Sequence, residues 1–171
     1  VADILRKLQG GDRRSIGQAD EVVAEVLEEP DLFGTLFCGM ASKDPIVRMR
    51  AADVVEKVSA LHPECLQPYK EDLLQRVATI DQQEVRWHVA QMLPRLDLSA
   101  GERARAVDIL VGYMEDKSRI VRTFAMQALA EFALDDERLR SRVVSILRES
   151  TASGSPAMVS RGRKLLDRLG A

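Results

Sequence analysis

The chain of 171 residues is 46% hydrophobic and 30% charged with a net charge of -2, which gives it the apolar content for one substantial core and rules out a disordered tail. Its two cysteines lack Cys-x-x-Cys spacing and its two histidines cannot complete a Cys/His zinc cluster at the usual separations, so a reducing compartment and no metal cofactor are expected. No stretch approaches the roughly 18 apolar residues of a membrane span, and the start lacks a signal peptide's hydrophobic run, so the expected setting is soluble and cytoplasmic, with no membrane partner. Because the chain begins at Val1 rather than methionine, an upstream segment is expected to be missing.

Aromatic residues make up only 4%, while Ala, Leu, Val, Arg and Glu dominate, a balance that favours helix over sheet. The first predicted element is a stub helix over residues 2–8. Gly10-Gly11-Asp12-Arg13-Arg14 follows, too short for a phosphate loop and without its Lys-Ser/Thr, and is assigned as a linker. Ala19, Val22, Val23 and Val26 then fall on one face of a helix, and Leu32, Leu36, Phe37 and Met40 on one face of the next.

From residue 44 a repeat becomes legible. Asp44-Pro45-Ile46-Val47-Arg48 aligns with Gln82-Gln83-Glu84-Val85-Arg86, with Ser118-Arg119-Ile120-Val121-Arg122, and with Ser155-Pro156-Ala157-Met158-Val159. The anchors Val47, Val85, Val121 and Met158 lie 38, 36 and 37 residues apart. Four, seven, eight and eleven residues beyond each anchor the chain is apolar or small: Ala51, Val54, Val55, Val58; Val89, Met92, Leu93, Leu96; Ala125, Ala128, Leu129, Phe132; Gly162, Leu165, Leu166, Leu169. Those offsets share a stripe of about 100°, so each segment is an amphipathic helix. The small four-on residue suits close helix packing.

Asp44 before Pro45 and Ser155 before Pro156 supply N-caps ahead of a first-turn proline. Asp81 with Glu84, and Ser99 with Glu102, have the spacing of capping boxes. A second apolar-periodic segment separates successive anchor helices: Tyr69, Leu73, Leu74, Val77; Ala104, Val107, Val111, Met114; Leu139, Val143, Ile146, Leu147. Each repeat is therefore a helix pair.

Helix pairs of about 37 residues that open on Asp-Pro-x-Val-Arg resemble HEAT repeats, and are especially similar to the short phycobilisome-lyase-type HEAT repeats of bacteria. The resemblance implies an all-α, right-handed superhelix of about four and a half helix pairs, a single solenoid with approximate repeats 15–42, 43–80, 81–117 and 118–153 and a terminal cap helix at 154–170. Asp44, Arg48, Arg86 and Arg122 match its structural ladder, in which a recurrent arginine ties a repeat to its neighbour. The fourth copy has Val159 where that arginine would stand, which suits a closing cap.

Function is expected to be binding rather than catalysis. Trp87, the single tryptophan, falls about 200° from its anchor, away from the core stripe, and is the leading contact residue. His88 has no second ligand at metal spacing. Cys38 is expected to pack as a small hydrophobe, and Cys65, near a helix start, to have a lowered pKa without a base partner. Residues 1–116 hold 14 basic and 21 acidic groups and residues 117–171 hold 11 and 6, so the C-terminal third is basic. Arg138, Arg142, Arg161, Arg163 and Lys164 are candidate partner-binding residues there. The expected role is a non-enzymatic protein–protein interaction scaffold without cofactors, a monomer or part of a larger assembly, its partner a protein of unknown identity. The alternatives are nucleic-acid binding through the basic patch, which is not favoured, and a lyase-like accessory role toward bilin chromophores, as some relatives of the short repeats have.

Overall fold

The structure, a computed structural model, describes residues 3–12 and 14–171; Arg13 of the expected linker and residue 2 of the expected stub helix lie outside the described residues. Among the described residues there are helices and no strand. They form two compact units, one ending at Asp97 and the other running from Leu98 to Ala171, which divide between the two helices of the third expected repeat.

The first unit holds α1 (Asp3–Lys7), α2 (Ala19–Glu28), α3 (Phe33–Gly39), α4 (Pro45–Leu61), α5 (Lys70–Gln75) and α6 (Gln83–Met92). α4 starts where the sequence says it should: Asp44 Oδ1 accepts from the Ile46 amide at 2.8 Å, and Pro45 occupies the first turn, where its missing N–H costs nothing. Val47, Ala51, Val54, Val55 and Val58 are all buried, and α4 packs on α2, α3 and α6. A Cβ on Gly39 of α3 would lie 3.1 Å from Ala51 Cβ, so the small four-on residue marks a close crossing.

The second helix of the expected 43–80 repeat is broken. Pro63 and Pro68 divide it into a 3-10 segment, Pro63–Tyr69, and the short α5, because neither proline can donate to a helical ladder. Tyr69 nevertheless packs as expected, its ring stacked on Phe37 with centroids 4.6 Å apart. Pro94 likewise ends α6 at Met92 and turns Leu93–Arg95 into a 3-10 turn, although Leu93 and Leu96 still reach the core.

The expected capping box of Asp81 and Glu84 does not form. α6 is preceded by Gln82, which makes no side-chain cap, while Asp81 turns outward to Arg86. Gln82 is instead drawn into the neighbouring repeat.

The second unit holds α7 (Ala100–Tyr113), α8 (Arg119–Asp135), α9 (Glu137–Ser153) and α10 (Pro156–Leu169). Here the box at Ser99 is complete: Ser99 Oγ accepts from the Glu102 amide, and Glu102 Oε2 accepts from the Ser99 amide at 2.7 Å. α7 buries Ala106, Val107, Leu110 and Tyr113, a stripe turned from the expected one, and leaves Ala104 exposed. α8 packs on α7, α9 and α10 through Val121, Ala125, Ala128, Leu129 and Phe132. Each large side chain so buried contributes about 1.5–3 kcal/mol. Ser155 caps α10, and Gly170, at φ +69°, closes it in the left-handed region that glycine adopts without strain.

Candidate functional site

The repeated arginines make different contacts. Arg48 donates to the carbonyls of Ser42 and Lys43, at 2.8 and 3.2 Å, closing the turn ahead of its own helix. Its Nε also donates to Gln82 Oε1 at 2.8 Å, which carries the link into the next repeat. Arg86 closes its own turn by donating to the Ile80 carbonyl and pairing with Asp81. Arg122 Nε is buried without a partner among the described residues.

A different arginine is the more deeply integrated one, and the sequence reading passed over it. Arg50 is 2% exposed, and its guanidinium donates to the carbonyls of Leu8, Gln9, Gly10, Asp12 and Ser15. It is the post around which the segment from α1 to α2 is wound. Among the described residues no carboxylate takes part; carbonyl dipoles supply the compensation that a buried charge requires. Positive φ at Gly10, Gly11 and Gly17 lets the chain turn around it, and a Cβ at Gly17 would come within 2.8 Å of Arg50 Cζ. The signal lay in the phase: the repeats place His88 and Phe124 at the position of Arg50, on the border of the buried stripe.

Trp87 is half-buried in the first unit, in the wall of a groove of about 180 Å³ between α4 and α6. Met49, Arg50 and Asp53 enter from α4, Glu84, Trp87 and His88 from α6, and Arg14, Ser15 and Ile16 close one end. Glu84 and His88 are buried, while Ile16 is 49% exposed. The Trp87 and His88 rings lie 5.7 Å apart and tilted by 60°. His88 Nε2 stands 3.9 Å from Asp53 Oδ1, and Asp53 pairs with Lys57 at 2.9 Å. Burial pushes the His88 imidazole below its usual range, against the opposing pull of Asp53 and Glu56, so the neutral ring is favoured.

A second groove, of about 500 Å³, lies between the first turns of α8 and α10. Ile120, Thr123 and Phe124 face Pro156 and Ala157 across it, with Arg119 and Arg161 at its edges and no acidic residue in its wall. Ile120 is 48% exposed. By the repeat alignment, Ile120, Thr123 and Phe124 occupy the positions of Glu84, Trp87 and His88, so the same helix face carries a groove in each unit.

The basic candidates of the C-terminal third differ in how far they are committed. Arg138 chelates Asp136 with its Nε and Nη2, and this bonding holds the Asp136 carboxyl down to about 2. Arg142 pairs with Asp108 at 3.1 Å, and Arg161 donates to Gln127 Oε1 at 2.9 Å. Arg163 and Lys164 are exposed and line a shallow hollow beside the start of α10, with no partner among the described residues.

Neither cysteine behaves as expected. Cys38 is exposed on α3 rather than packed, and burial together with Glu64 pushes the Cys65 thiol up rather than down, away from a reactive thiolate. Among the described residues no group of three or more His, Cys, Asp or Glu is placed to hold a metal, and no helix is long and apolar enough to cross a membrane.

Anchor helices that recur in sequence and bury the same face against neighbouring helices define an all-helical repeat protein. The chain matches the family model of the HEAT repeat domain over residues 7–167, and it belongs to the HEAT repeat family. No curated protein and no solved structure matches it.

Proposed function

We propose that the protein is a non-enzymatic interaction module whose second unit takes up an acidic segment of a protein partner, anchored by an apolar side chain, in the groove between α8 and α10. The observation that carries this reading is the composition of that groove. Ile120, Phe124 and Pro156 give it an apolar floor, while Arg119 and Arg161 flank it and no carboxylate opposes them. The N-terminus of α10 adds positive potential at the same end. An apolar anchor supplies affinity in such a groove, and flanking acidic residues supply orientation and a fast encounter.

The nucleic-acid alternative finds less support, because Arg138 and Arg142 already have carboxylate partners. Counterion release needs charges free to meet phosphates.

The test is fluorescence anisotropy with two labelled peptide pools, each with a fixed central leucine, one flanked by Asp and Glu and the other by Lys and Arg. Preferential binding of the acidic pool, lost on Ile120→Asp or Arg119→Glu, is the expected outcome. Equal binding of both pools, or binding indifferent to both substitutions, would sink the reading. A shift of duplex DNA or RNA at low salt that Arg163→Glu abolishes would put the nucleic-acid alternative in its place.

A further inference from the structure

Among the described residues the exposed large apolar side chains are Ile16, Leu27, Leu61, Ile120 and Leu134, and Ile16 and Ile120 belong to the walls of the two grooves. Leu27 has a setting of its own. It lies in the last turn of α2, and Glu28, Glu29, Pro30 and Asp31 after it are all exposed. Residues 15–42 carry six acidic side chains and no Lys or Arg. Three of the six are neutralised from elsewhere, Asp20 by Lys57 and Glu21 and Glu25 by Lys7. Glu28, Glu29 and Asp31, the three that follow Leu27, make no ion pair among the described residues. Carboxylates at a helix C-terminus oppose the helix dipole, so Glu28 and Glu29 do not serve α2 itself.

The other two exposed leucines lack this surplus charge. Leu61 is followed by His62 and Glu64, which pair with each other at 3.1 Å. Leu134 precedes Asp135, Asp136 and Glu137, but Arg138 chelates Asp136 and Arg103 stands 3.6 Å from it. In the second unit, the groove between α8 and α10 has the composition complementary to residues 27–31, with an apolar floor, Arg119 and Arg161 at its edges and no acidic residue in its wall. Arg161 gives one N–H to Gln127 and keeps its charge. The chain thus carries both halves of one interaction.

We propose that the acidic segment taken up by the α8–α10 groove is residues 27–31 of a second copy of this chain, with Leu27 on the groove floor and Glu28, Glu29 and Asp31 facing Arg119 and Arg161. The assignment rests on the acidic-segment reading of that groove and names its partner. Segment and groove are different patches, so the contact is heterologous. Each pair of copies keeps one unused segment and one unused groove, and assembly continues unless a ring closes. One apolar anchor and a few exposed charge pairs make a weak contact that salt weakens further.

Sedimentation velocity tests this on the native chain. From about 10 µM to about 1 mM in low salt the weight-average mass is expected to rise above that of the monomer, and to fall back in about 0.5 M NaCl. Leu27→Ser and Ile120→Asp are each expected to weaken self-association at least about tenfold. In an equimolar mixture one variant keeps its groove and the other its segment, so a species of two chains should reappear and grow no further. A native chain monomeric throughout, self-association indifferent to Leu27→Ser, or a mixture of folded variants that stays monomeric would each overturn the assignment. Where circular dichroism shows either variant unfolded, competition on the native chain decides: the acidic leucine peptide pool should disperse the assembly and the basic pool should not, and the reverse overturns it. Anisotropy separates this failure from failure of the groove reading. An acidic pool bound through Ile120 by a chain that never self-associates removes only the second copy, whereas an acidic pool that does not bind removes both.

Discussion

Arg48 and Gln82 are joined in both directions: Arg48 Nε donates to Gln82 Oε1 at 2.8 Å, and Gln82 Nε2 donates to the carbonyl of Pro45, three residues before Arg48, at 2.9 Å. Gln82 is 6% exposed, so neither bond has water to replace it. Gln82→Ala strands a charged donor and takes a side-chain bond from the Pro45 carbonyl, and is expected to cost about 2 kcal/mol, seen as a lower urea midpoint with an unchanged slope.

The same reasoning separates Arg48 from Arg122. Replacement by methionine keeps the apolar stem and removes the guanidinium. Arg48→Met is expected to destabilise by about 1–3 kcal/mol, because it gives up bonds to Ser42, Lys43 and Gln82. Arg122→Met is expected to be neutral within about 0.5 kcal/mol or stabilising, since the Nε it removes is already without a partner. Equal losses in urea melts of the two variants would show that the recurring arginine does the same job in every repeat after all.

The repeat was legible because buried anchors impose a period on the chain: Val47, Val85, Val121 and Met158 are all buried, and so are their small four-on partners. Breaks in helices were harder to see, because the apolar pattern runs on through Pro68 and Pro94 while the backbone cannot. The candidate sites were less legible still. Trp87 stood out as a single large aromatic residue, but Glu84 and Asp53 are ordinary surface types whose burial depends on the neighbouring helix. Arg50 was invisible for a related reason: its partners are backbone carbonyls, which leave no mark in the sequence.

Arg50→Met is expected to release the segment between α1 and α2. The five carbonyls it serves would return to water, and a global loss of about 3 kcal/mol or more is anticipated from the buried charged bonds given up. The local effect is the sharper test. Limited trypsinolysis followed by mass spectrometry should find cleavage after Arg14 much faster in the variant than in the parent, while sites within α8 keep their protection. Unchanged cleavage at Arg14 would mean that Arg50 does not organise the segment.

Gly162 marks a close approach of α10 to α9. A Cβ there would lie 2.0 Å from Thr151 Oγ1 and 3.1 Å from Met126 Cε, and Thr151 is tied down by donating to the Leu147 carbonyl at 2.6 Å. Gly162→Ala is expected to cost about 1–3 kcal/mol through overpacking, despite the better helix propensity of alanine. Adding Thr151→Ala should recover a large part of that loss. A double-mutant cycle on thermal melts measures the coupling, and strictly additive effects would remove the clash as the cause.

The pH dependence of stability should carry the signature of His88. Burial lowers its pKa in the folded chain from the ordinary 6.5, so the unfolded chain takes up the proton first as pH falls. The contribution of a neutral His88 is therefore fully present above pH 6.5, declines as pH drops below that value, and levels off once the folded form is protonated too. Carboxylates titrate in the same acid range, so the parent alone cannot isolate the effect. His88→Phe, which places at this position the side chain that Phe124 supplies in the next repeat, removes the histidine and leaves the remaining groups in place. The variant is expected to gain thermal stability relative to the parent as the buffer is taken from about pH 8 to about pH 5. A difference between the two melting temperatures that stays constant across that range would mean that His88 is not held neutral by its surroundings.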